Sequence, residues 1–520
     1  MTPPGRSLPE SMPAARSFAF VAVAVLALAG CVAPSTSDPV IPSTGGADVV
    51  PDRWWEKAIP WGEGHDHGNP AHHANLSTPN FEVVGYDPLV TKELGTTARG
   101  MGCGGAATQT EGRRLAVVHS FSTDVAFIVA DVTNASAPQY LGEFVLMNVH
   151  VWDATISADG KYALLGAYPP ALKPGWTPRA PTLDLDALAA LEAGPRDWIV
   201  RPMFRDACTG ELRQAGPEKA LPLAPGIILV SLADPTNPKL VDFKPQPVIG
   251  PHSVSSALVD GKVWAMASVT NLVHEASYYT FFHVEDTAGG TLRPVHLIQV
   301  PGHPGPTKLN GHVDVSVAKH PMTNKVYAYL ANWDALYVYS IGGVVHELVG
   351  MWADGRAGAV HTTLPLPQLR DGRHYTLVGQ EVGEPVELPS GWVYILDTTD
   401  PAKPVEVGRW TLPIKPKWGG GLMFSPHYVE VVNETLFVAN YHGGLWAIDI
   451  TNQSDPRAIG IFVPDRLSPK PIGGKAPGPS VGDVIAAPDG TLTVWDAGSG
   501  IYQLRFDATM PAPRAPAWPR

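Results

Sequence analysis

Short apolar runs alternate with clusters of Asp, Asn, Pro and Gly along most of this chain, and one phrase recurs. It reads VAFIVADVTNASAP at 125–138, IILVSLADPTNP at 227–238, WVYILDTTDPAKP at 392–404 and LWAIDITNQSDP at 445–456. Each copy is a run of β-formers, then a turn, then another short strand. A glycine follows three of the copies, as Gly142, Gly408 and Gly460. Weaker copies lie at 336–341 and 501–506. A second phrase precedes the first: a strand starting at or near His, a turn, and a further strand. Examples are HYVEVV at 427–432 with TLFVAN at 435–440, and HVDVSV at 312–317 with KVYAYL at 325–330. Several of these strands alternate in polarity with the period of two that a strand requires. Each unit therefore predicts four short strands, A to D.

Units of this kind, repeated this often, predict an all-β fold, a seven-bladed β-propeller with four-stranded blades. Strand A of successive blades falls near Cys103, His150, His252, His312, His361, His427 and Gly482. The last blade supplies only strands A to C before a Pro-rich tail at 508–520. The segment FEVVGY at 81–86 matches the D-strand phrase VEVG at 405–408, yet it precedes the first blade. An N-terminal strand is thus expected to complete the last blade and close the ring, removing exposed sheet edges. The propeller spans 79–507, with an insertion at 169–224. At these repeats the chain resembles the LVIVD-repeat proteins, exported prokaryotic propellers. That resemblance implies the architecture and no single activity.

Composition narrows the partners. The chain is 44% apolar and 17% charged, too apolar for disorder. Its net charge is −12 and it has no basic stripe, which argues against nucleic acid as a partner. Arg6 and Arg16 precede an apolar run at 18–28, too short to span a bilayer as a stable helix. The run ends at Leu28-Ala29-Gly30-Cys31. This resembles the lipobox of prokaryotic lipoproteins, implying a signal peptide at 1–30, lipidation of Cys31, and anchoring to the outside of the cytoplasmic membrane or the cell surface. A tether with a His-rich linker follows at 31–78. In an exported protein Cys103 and Cys208 suggest one disulfide.

The repeat gives scattered histidines a common address. The A strands of a propeller line its channel, so His150, His252, His312, His361 and His427 are expected to form a ring at one mouth. The B–C insertions at 169–224, about 270–278 and 380–390 are expected to cover that mouth, bringing Cys208 over Cys103. Converging imidazoles suit Fe, Cu or Zn. Their second nitrogens need acceptors, for which Glu381 and Glu384, or Asp153 or Glu275, are available. In outline the arrangement is similar to two propeller families that bind metal through axial histidines, the carotenoid cleavage oxygenases and the selenium-binding-protein thiol oxidases. Pro426-His427 followed by Asn440-Tyr441-His442-Gly443 looks like a pattern of the latter, and the likeness is confined to those residues. Two roles remain open for the mouth: binding of a ligand or protein partner, with or without a metal, and a metal-dependent (Fe or Cu) oxidoreductase. A purely structural role also stands, because tryptophan–aspartate repeat propellers use a Gly-His pair before strand A as a hydrogen-bond network. Gly311-His312 and Pro251-His252 fit that role.

Weaker signals complete the reading. His65, His67, His72 and His73 form a tract able to bind metal. Strand D of the closing blade starts at the face opposite the ring, so this tract begins far from it unless the chain wraps around. Residues 183–193 suggest a short helix. Phosphate loops, dinucleotide fingerprints, nucleophile elbows and zinc-protease helices are not found.

Overall fold

The computed structural model describes residues 77–90, 107–110, 112–120, 125–145, 150–168, 203–205, 212–214, 226–245, 251–269, 276–301, 314–332, 335–353, 359–381, 391–412, 424–464 and 480–510. Cys31, Cys103, Cys208, His312, Glu275, Glu384, the 65–73 tract, the 183–193 segment and most of the three insertions lie outside these. Among the described residues are seven antiparallel four-stranded sheets. They form the seven blades of a propeller. Strand A is Ala107–Thr110 in blade one, then His150–Ile156, Pro251–Val259, Val315–Lys319, Ala359–Pro365, Val429–Val432 and Val481–Ala486 in blades two to seven. A small additional hairpin, Met203–Arg205 with Leu212–Gln214, falls within the blade-two insertion. No helix among the described residues is long and apolar enough to cross a membrane.

The blades hold together through seven apolar clusters, one at each junction between neighbours. Both faces of a blade are therefore covered. This explains why the inner strands, such as Val125–Asp131 and Leu445–Asp449, are apolar almost throughout instead of alternating. The outer D strands keep an exposed side, as in Glu347–Ala353.

The turn of the repeat phrase has a local cause. Asp131 and Asn134 accept N–H groups two residues on, from Thr133 and Ser136. Asp449 and Asn452 do the same with Thr451 and Ser454. Two consecutive Asx turns thus reverse the chain between strands C and D. The glycine after the phrase has a different cause. A Cβ on Gly408 would lie 1.9 Å from the Gln453 carbonyl, and one on Gly142 would lie 2.7 Å from that of Pro235. Each glycine receives the C–D turn of the next blade.

Phe81–Asp87 pairs antiparallel with Gly500–Phe506 and so supplies strand D of blade seven. Phe81 packs 4.7 Å from the Phe506 ring and within 6.3 Å of Phe437 and Phe462 in blade six. Residues 77–80 then do what chain order alone left open. Asn80 donates to the Ile459 carbonyl, Thr78 N–H to that of Ile461, and the Ser77 hydroxyl to that of Val463. They run alongside strand D of blade six, Arg457–Phe462, towards the histidine-bearing face.

Candidate metal centre at the channel mouth

Strand A bends as it leaves the mouth. The register slips between Val151 and Asp153, Pro251 and Ser253, Val360 and Thr362, and Val481 and Asp483. The skipped residues are Trp152, His252, His361 and Gly482. In blade six, Ala439 accepts the His427 N–H and donates to the Tyr428 carbonyl, which gives His427 the matching place. Bulges re-aim side chains. The register sets His150 two residues ahead of this position, opposite Tyr168, and Trp152 occupies the place itself. Spacing from the strand start misses this, because it cannot show where a bulge falls.

His361 and His427 come together. Their ring centroids are 4.2 Å apart, and both side chains are buried. Glu381, at the mouth end of strand B of blade five, brings its Oε2 to 3.5 Å from His361 Nε2. One donor atom from each of His361, Glu381 and His427 lies within 4.8 Å of the others. His252 adds to the field at His427, as does His119 from the end of strand B in blade one.

Hydrogen bonds fix the tautomers. His427 Nδ1 lies 3.1 Å from the Gly482 carbonyl, which can only accept, so Nδ1 carries the proton. The Thr362 hydroxyl donates to the His427 carbonyl. Its oxygen, 3.0 Å from His361 Nδ1, is left to accept. Both imidazoles therefore present an unprotonated Nε2. Burial pushes the His361 imidazole down to about 3. Burial, then the neighbouring His361, holds His427 well below the usual imidazole range. Neutral imidazole is the form that binds metal.

Glu381 is held in turn. Its Oε1 accepts the Tyr441 hydroxyl at 2.7 Å. Tyr441 has a left-handed backbone (φ 46) and exchanges two backbone hydrogen bonds with Val481 of blade seven. Such a conformation is unfavourable for a bulky residue and persists where its surroundings enforce it. The His361 Nε2 lone pair thus lies beside a carboxylate oxygen, with a donor atom of His427 within 4.8 Å of both. Two histidines and one carboxylate is a donor set known for Fe(II), and imidazole with carboxylate also suits Zn and Cu. Bonds of 2.0–2.1 Å in a tetrahedral site place donors about 3.3 Å apart, so side-chain adjustments of about an ångström bring the three into range.

Thr362, Tyr428 and His119 had no assigned role in the sequence, and Tyr441 entered only as a member of the Asn-Tyr-His-Gly stretch. Tyr441 and His119 carry a signal in retrospect, since both lie where strand B reaches the mouth. Tyr428 packs edge-on, its ring centroid 4.6 Å from His427 and 5.8 Å from His361. His442, within the Asn-Tyr-His-Gly stretch, packs 6.2 Å from Phe424. Asp153 lies beside His119 rather than behind a ring histidine.

No family model matches this chain, and no curated protein matches it. Among solved structures, similarity extends to Sqt1 of Saccharomyces cerevisiae at 8% identity, over 79% of this chain and 96% of that one, with a TM-score of 0.43. A protein from Lactobacillus plantarum is similar at 14% identity, over 76% of this chain and 95% of that one, with a TM-score of 0.42.

Proposed function

We propose that this chain is an exported, lipid-anchored propeller of the LVIVD-repeat kind that binds a ligand or partner at its channel mouth through a divalent transition metal held by His361, Glu381 and His427. The observation that carries the reading is the paired tautomer beside a carboxylate: both Nδ1 protons are committed to acceptors, His361 Nε2 lies 3.5 Å from Glu381 Oε2, and a donor atom of His427 lies within 4.8 Å of theirs. A purely structural histidine needs its Nδ1 contact, but it has no use for a carboxylate 3.5 Å from an unprotonated nitrogen. Three protein donors also leave coordination positions open to a ligand.

A second reading is an Fe- or Cu-dependent oxidoreductase at the same place. It is favoured by the oxidisable rings packed against His427, Tyr428 at 4.6 Å and Tyr441 at 4.8 Å. Elemental analysis of tag-free protein tests the shared premise. At least one equivalent of Fe, Cu or Zn is expected, and the His361→Ala/His427→Ala variant is expected to hold one equivalent fewer than wild type. Full metal content in that variant would remove the site. The anchor is tested separately: Cys31→Ser is expected to release the protein from the membrane fraction, and unchanged membrane association would refute lipidation.

A further inference from the structure

We propose that the channel holds a second cation site, between His119 and Asp153, that takes a divalent transition metal. His119 ends strand B of blade one and is fully buried. Asp153 follows the bulge in strand A of blade two and is 2% exposed. Its Oδ2 accepts the Val254 N–H at 2.9 Å, tying blade two to blade three. Its Oδ1 has no hydrogen-bond partner among the described residues and lies 4.0 Å from His119 Nδ1. Tyr428 reaches across from blade six to place its hydroxyl 3.5 Å from Oδ2.

These separations have a common meaning. At 4.0 Å an imidazole nitrogen and a carboxylate oxygen are too far apart for a hydrogen bond. Two donors of a tetrahedral ion with bonds of 2.0–2.1 Å lie about 3.3 Å apart, so an approach of about 0.7 Å brings the pair onto one ion. Imidazole and carboxylate together select Zn, Fe or Cu over the harder Mg and Ca. The surroundings favour a cation as well. Asp314, just before strand A of blade four, and Asp483, on strand A of blade seven, carry charges that act on Asp153. Burial, reinforced by those two carboxylates, raises the Asp153 pKa well above the carboxylate range. Tyr428 lies between the two places, its ring against His427 and its hydroxyl towards Asp153.

The test titrates Co(II) into metal-free full-length protein and counts equivalents lost relative to wild type, so that the 65–73 tract cancels. Asp153→Asn retains an acceptor for Val254 N–H and is expected to lose one equivalent. His361→Ala/His427→Ala is expected to lose a different one, and the combined variant two. Near-UV circular dichroism checks each fold, and His119→Gln replaces Asp153→Asn if that variant does not fold. Unchanged stoichiometry in Asp153→Asn, or in His119→Gln where it stands in, would overturn the second site. Loss of an equivalent there, with none lost in His361→Ala/His427→Ala, would leave the second site standing and remove the mouth triad.

Discussion

Replacing Tyr441 with Phe isolates one oxygen. The ring stays, and with it the 4.8 Å contact to His427. The backbone stays too, because both hydrogen bonds to Val481 are main-chain. What leaves is the hydroxyl that donates to Glu381 Oε1 at 2.7 Å. A hydrogen bond to a charged acceptor contributes about 1.5–3 kcal/mol. Groups that orient a metal ligand typically affect affinity by about 10–100-fold when removed, or about 1.4–2.7 kcal/mol. The two ranges overlap, so a loss of about 30-fold in affinity for Co(II) or Zn(II) is expected, measured by competition with a chromophoric chelator. Glu381→Gln in parallel is expected to lose more, because it removes a ligand charge. Wild-type affinity in Tyr441→Phe, with strong loss in Glu381→Gln, would show that Glu381 needs no such support and would refute the positioning argument.

Other consequences are more local. Gly408→Ala forces a Cβ to 1.9 Å from the Gln453 carbonyl and is expected to cost at least about 1–3 kcal/mol by urea denaturation; Gly343→Ala, with no atom nearer than 3.6 Å, is the neutral control. Phe81→Ala removes the ring that joins the closing strand to blade six and is expected to cost about 3–5 kcal/mol, read as a lowered urea midpoint. His374, in a buried pair with His320, is pushed down to about 4 by burial and then by that neighbour. Its folded value lies below the unfolded one near 6.5, so the stability it contributes is complete above pH 6.5 and is lost as pH falls towards 4. Stability curves at pH 7.5 and 5.0 are expected to converge by about 2 kcal/mol in His374→Gln relative to wild type; identical pH slopes would contradict a neutral buried imidazole.

The fold was legible in the sequence because propellers repeat. A strand, a doubled Asx turn and a glycine are each dictated locally, and the same words return in successive blades. The closing strand was legible because Phe81–Asp87 carries D-strand vocabulary ahead of the first blade. The candidate centre was only half legible. His361 and His427 were marked by strand position, and Glu381 by its place in a B–C insertion. The bulges that aim the histidines leave no mark in a count from the strand start, which is why His150 shared the ring in the sequence and Trp152 takes its place in the sheet. Tyr441 was hidden for another reason. Its role depends on a backbone bridge to Val481, forty residues away, that brings blade seven against blade six.

His361, Glu381 and His427 are proposed to hold one metal ion. X-ray diffraction from crystals of the native protein, collected on both sides of the absorption edge of the metal found by elemental analysis, tests it most directly. An anomalous peak in contact with His361 Nε2, His427 Nε2 and Glu381 Oε2 is expected. Ordered side chains at those three residues with no anomalous peak between them, in protein whose metal has not been stripped, would contradict it.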